Sequence, residues 1–170
     1  MRILIALLAS AIVLSCGGGS ATIGTTYNDP EGAYTIQVDP AWQIQVGAVV
    51  QGVEVWFIGP VEGDFRPNLN VLTQAAPGMS LADYTTASVA NAPALIADFK
   101  VVSESQIDAS GASLEVLEYT GTAQGRQLHF LAVFGLRSDR AIVATLTTGF
   151  ATFASWRPTI EPFLRTLRLS

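Results

Sequence analysis

The residues that could carry chemistry in this chain are few. Its single histidine, His129, lies in an alternating segment beside Gln127, on the side opposite Phe130. A catalytic triad needs a nucleophile, a base and an orienting acid that converge in space. Ser and Asp are plentiful, but no G-x-S-x-G elbow is present, so His129 reads as a strand histidine. Metal sites need clustered His, Cys or carboxylates. Glu115 and Glu118 point to opposite sides of one strand pattern, and the segment from Asp108 to Gly111 reads as a turn. No phosphate-binding or dinucleotide-binding glycine pattern occurs. The expectation is no catalytic residue, no metal and no cofactor. The most polar constellation is Arg66, Asn68 and Asn70. It reads either as a recognition edge or as side chains that satisfy loop backbone. Trp42 reads as a core aromatic or as the wall of a ligand groove.

The single cysteine is placed where it can do a different kind of chemistry. One cysteine cannot form an intramolecular disulfide. Cys16 follows an almost wholly apolar run from Ile3 to Leu14 that has Arg2 before it. That run has the length of a signal-peptide core and is short of the roughly 20 residues a spanning helix needs. Val13-Leu14-Ser15-Cys16 resembles the lipobox of bacterial lipoproteins. There the thiol accepts a diacylglyceryl group at the end of the inserted segment. Gly17-Gly18-Gly19-Ser20 follows, and such a stretch is a flexible tether. The expected division is a signal peptide over 1–15, a lipidated terminus and tether over 16–24, and one domain over 25–170.

Composition narrows the partners. The chain has 170 residues, 49% hydrophobic and 14% charged, with a net charge of −5. A chain of this size buries about 70% of its unfolded surface, so a core forms without disulfides or metal. Phosphate binding requires a basic patch, and no block of Lys or Arg occurs. Nucleic acid is therefore not an expected partner. An acidic body is also repelled by anionic lipid, so membrane attachment falls to the N-terminus.

The elements that must position these residues are mostly short strands. Tyr34, Ile36 and Val38 alternate with Thr35 and Gln37, the period of a half-buried strand. Further strands read at Val53 to Ile58, Leu69 to Thr73, Lys100 to Ser105, Ala112 to Thr122, Arg126 to Leu136 and Ala141 to Leu146. Gln124-Gly125 and Ser138-Asp139 read as tight turns. A helix should start at Ser80, whose side chain caps it, and Pro93 should end or kink it. A second helical spacing runs from Thr152 to Leu167. Pro158 and Pro162 predict a bend there, or two short helices joined near Thr159. Strands joined by tight turns and interrupted by two helices predict an α+β fold, an antiparallel sheet flanked by helices.

Several of these segments match a known pattern. Gly32-Ala33-Tyr34-Thr35-Ile36 with Asp39-Pro40-Ala41-Trp42 resembles the opening motif of the PsbP-like superfamily. Arg66-Pro67-Asn68-Leu69-Asn70-Val71 resembles its P-N-apolar-x-V strand. Leu81 to Tyr84, Asp98 to Val101, Gly111 to Tyr119 and Phe163 to Leu169 follow in the expected order. The resemblance covers Tyr27 to Leu169. It implies an α/β/α sandwich without enzyme activity, and the leader favours the bacterial lipoprotein branch, DcrB-type or LpqN/LpqT-like. The expectation is a lipid-anchored, monomeric module on the extracytoplasmic face of the cell membrane, or in the periplasm or outer membrane of a diderm. It would bind an envelope protein or assist lipid transport. The alternative is a small secreted hydrolase that uses His129.

Overall fold

A computed structural model describes residues 24–47, 52–109 and 111–170. The leader, Cys16 and most of the tether lie outside the described residues. The elements are β1 (Thr25–Asn28), β2 (Tyr34–Val38), β3 (Gln43–Val46), β4 (Val53–Ile58), β5 (Asn68–Ala75), α1 (Leu81–Asn91), a 3-10 turn (Ala92–Ala94), β6 (Ala97–Ala109), β7 (Ala112–Ala123), β8 (Arg126–Arg137), β9 (Arg140–Gly149), α2 (Phe153–Leu164) and β10 (Arg168–Leu169). The fold is α+β and mainly antiparallel, as the sequence predicts. A seven-stranded sheet runs β3-β4-β5-β9-β8-β7-β6, and a small sheet runs β1-β2-β10.

The central strands of the large sheet are buried on both faces. Leu128, Phe130, Ala132 and Phe134 face one core layer, with α1 residue Tyr84 packed into it. Leu131 and Val133, the intervening residues of β8, face the other layer with Tyr34, Ile36, Ile160 and Leu164. One layer therefore belongs to α1, and the other to α2 and the small sheet. The β7–β8 and β8–β9 hairpins close with two residues at positive φ, Gln124-Gly125 and Ser138-Asp139. This is the backbone that matches strand twist in a two-residue hairpin.

The helices form for identifiable reasons. Ser80 Oγ accepts from the Asp83 N–H at 3.1 Å, and the Asp83 carboxylate reaches back to Ser80. This reciprocal cap fixes the start of α1. Pro93 falls in the 3-10 turn just after it. Of the two arrangements expected for α2, two short helices joined near Thr159 do not occur: one helix spans Phe153–Leu164 with both prolines inside. Pro158 and Pro162 are four residues apart and both exposed, while Phe153, Ile160 and Leu164 are buried. The carbonyls that lose a backbone donor thus lie on the solvent stripe, and the buried anchors hold the helix together.

Candidate functional site

His129 is the best-built polar site among the described residues. β8 pairs with β7 so that His129 opposes Thr120 and Leu131 opposes Glu118. His129 and Glu118 are then diagonal neighbours on one face, within reach of long side chains. His129 Nε2 lies 2.9 Å from Glu118 Oε1, and Arg157 donates to Glu118 Oε2 at 2.9 Å. Helix α2 supplies Phe153 and Arg157 one turn apart. The imidazole stacks on Phe153 with ring centroids 3.6 Å apart and planes 7° from parallel. The side chains of Glu118 and His129 are 7% and 12% exposed. Arg157 and Arg165 also bind Glu161, at 3.0 and 2.7 Å. Hydrogen bonds from Arg165 and Arg157 hold the Glu161 carboxyl below its usual range, and the bond to Glu161 raises Arg157.

This arrangement contains a base and an acid but not a triad. Among the described residues no Ser or Thr hydroxyl is bonded to His129. The ring is clamped between a carboxylate and an aromatic plane. Its geometry ties α2 to the sheet. Sequence reasoning placed His129 opposite Phe130 but missed its partners. The Gln124-Gly125 turn sets the β7–β8 register and would have placed it opposite Thr120 and diagonal to Glu118. Nothing local in the sequence points to Arg157.

The sequence-predicted recognition residues do not converge. Trp42 is 5% exposed and lies in the core on the α2 side. It meets Trp156 edge-on at 5.8 Å, and the Trp156 indole donates to Glu62 Oε2 at 2.7 Å. Asn68 and Asn70 face the other layer, opposite Thr147 and Thr145 of β9. β5 is the third strand of seven, so neither Asn stands on an edge. Both are buried. Asn68 Nδ2 donates to the Arg66 carbonyl at 3.3 Å, and Arg66 Nε to the Gly59 carbonyl at 3.1 Å. These contacts brace the β4–β5 connection.

A second carboxylate, Glu54, sits beside a bulge between Val53 and Val55. One oxygen accepts from the Thr73 hydroxyl. The other is buried without a partner, as are the phenols of Tyr27 and Tyr34. Burial raises Glu54 above its ordinary value of 4.5, the Thr73 bond opposes this, and the charges of Asp29 and Glu31 add to the rise. Burial likewise raises Tyr34, with the negative charge of Glu54 adding to it.

The fold is that of the PsbP-like proteins. Cyanobacterial PsbP (CyanoP) from Synechocystis superposes with a TM-score of 0.67 at 20% identity, covering 93% of this chain and 99% of that one. LpqN of Mycobacterium tuberculosis, involved in cell envelope biogenesis, gives 0.65 at 8% identity, covering 86% and 90%. A Pseudomonas aeruginosa protein of unknown function gives 0.64 at 25% identity, covering 86% and 97%. Within this class the chain belongs to the DcrB family, which it matches over residues 51–166. No curated protein sequence matches it.

Proposed function

We propose that this protein is a non-catalytic module of the cell envelope. It is held at the extracytoplasmic face by lipid on Cys16, acts as a monomer, and binds a protein partner or assists lipid transport. The observation that carries this reading is the DcrB family match over residues 51–166. The likeness to LpqN, an envelope-biogenesis protein, supports it. No helix among the described residues is long and apolar enough to cross a membrane, so the leader and Cys16 are the proposed means of attachment.

Mass spectrometry of the native mature N-terminus tests the anchor. A diacylated Cys16 is expected, and Cys16→Ala should abolish acyl labelling. A mature N-terminus at another, unmodified residue would overturn the anchor. The His129–Glu118 pair gives the hydrolase reading its one specific observation, a base with its carboxylate at 2.9 Å. Ester, phosphoester and glycoside substrates should show no turnover above a His129→Ala control. Turnover that disappears in that variant would establish the hydrolase instead.

A further inference from the structure

At one end of the large sheet three turns enclose a cleft of about 330 Å³. The first, between β4 and β5, is a tight hairpin. Glu62 and Phe65 exchange backbone hydrogen bonds at 2.8 and 3.0 Å, and Gly63 supplies the left-handed residue with φ 62°. The second is the Gln124-Gly125 turn, after which Arg126 pairs with Asp64 at 2.7 Å. The third joins β9 to α2, where the Phe150 N–H bonds the Gln127 carbonyl at 3.2 Å. Each wall is tied by its own hydrogen bonds, so the cleft is pre-formed.

Its chemistry is mixed in a specific way. Phe65 and Phe150 make the apolar wall. Phe150 is 52% exposed, and Val61, next to the first turn, is 54% exposed. Two carboxylates and one cation line the cleft. Asp64 is matched by Arg126, which leaves the Glu62 charge unmatched among the cleft's residues. Glu62 is also the oriented one: the Trp156 indole fixes Oε2 at 2.7 Å, and a neutral donor leaves the negative charge in place. A guest that suits these walls has an aliphatic stem and a cationic tip. Lys and Arg side chains have this form, and a cation over an aromatic face gains further. The volume is at the low end of ligand sites and suits a side chain rather than a whole lipid. An anionic head group would meet the Glu62 charge.

We propose that this cleft docks a basic peptide segment of a partner protein, with one Lys or Arg stem against Phe150 and its charge on Glu62, and with the flanking residues against Val61. The proposal rests on the binding-module reading and names its surface. The test uses the full lipidated protein in nanodiscs, with the Trp156 indole N–H resonance as reporter, assigned by Trp156→Phe. The probes are acetyl-Leu-Lys-Leu-amide, the same peptide with an acetylated lysine, and butylamine. The basic peptide should shift the Trp156 signal. Lysine acetylation, Glu62→Gln and Phe150→Ala should each weaken binding at least tenfold. Glu62→Gln keeps an acceptor for Trp156 and should melt with the parent.

Absence of a shift at millimolar peptide, equal binding of the acetylated peptide, or an unaffected Glu62→Gln variant would overturn the proposal. Butylamine bound as tightly as the peptide would also overturn it, in favour of a small-amine site. A failure here with Cys16 lipidated and no turnover on the substrate panel defeats the cleft alone. His129-dependent turnover defeats the broader reading whatever the peptide does.

Discussion

Glu118 and Glu54 are two carboxylates set into the same large sheet, one on β7 and one on β4, and their surroundings are opposite. Glu118 has His129 on one oxygen and Arg157 on the other. Glu54 has a Thr73 hydroxyl, two unpartnered tyrosine phenols nearby, and the charges of Asp29 and Glu31. A buried carboxylate is costly unless its lone pairs and its charge are both answered. At Glu118 both are answered, by a strand neighbour and by a helix from the next layer. At Glu54 the Thr73 bond favours the carboxylate, but burial and the charges of Asp29 and Glu31 outweigh it, so the protonated form gains. The first site ties elements together. The second holds its proton to a higher pH than an ordinary glutamate does.

Four substitutions probe this contrast. Phe153→Ala should have the largest effect, because it removes a buried ring and the plane on which His129 lies. Truncating a core Phe costs about 3–5 kcal/mol, read by urea denaturation of the mature protein. A loss within about 0.5 kcal/mol, the range of surface changes, would show that the Glu118 cluster does not depend on the Phe153 ring. Glu118→Gln should cost about 1–3 kcal/mol, the penalty for leaving buried hydrogen-bonding groups poorly matched. In a double-mutant cycle with Arg157→Ala the two changes should be non-additive, since contacting residues couple. Strict additivity would mean that the pair seen at 2.9 Å contributes nothing.

Glu54→Gln should have the smallest effect, with the opposite sign. The folded protein holds the Glu54 proton to a higher pH than the unfolded chain does. Between the ordinary value and the raised one the native state binds more protons, so this group's contribution to stability falls as pH rises through that window. The loss persists at neutral pH. Glutamine retains an acceptor for Thr73 and carries no charge, so the variant should melt slightly higher at pH 7. It should also lose the parent's decline on going up from pH 4.5. Equal pH profiles for parent and variant would erase the distinction between the two carboxylates.

Much of the fold was legible along the chain. The even-numbered stripe from Leu128 to Phe134, the Gln124-Gly125 and Ser138-Asp139 turns and the Ser80 cap are local patterns, set by side-chain alternation and by backbone sterics within a few residues. The order of the PsbP-like motifs placed them in one architecture. That α2 stays one helix was not legible, because proline's cost depends on which carbonyls lose their donor, and only packing decides whether those face solvent. Whether Asn68 and Asn70 stand on a recognition edge or satisfy backbone is open in the sequence, because a strand's neighbours are not written in its own residues. β9, about 75 positions later in sequence, makes β5 an interior strand.

The sequence by itself determined the strand-rich fold class, the turn chemistry, the acidic charge and the position of the lone cysteine behind an apolar leader. Each follows from composition or from neighbours close in the chain. The tertiary structure alone decided which polar groups meet. His129 finds Phe153 across 24 residues, Glu118 finds Arg157 across 39, and Glu62 finds Trp156 across 94. Such pairs form when strand register and helix docking bring separate elements to within about 3 Å, the reach of a hydrogen bond. No local spacing encodes that meeting.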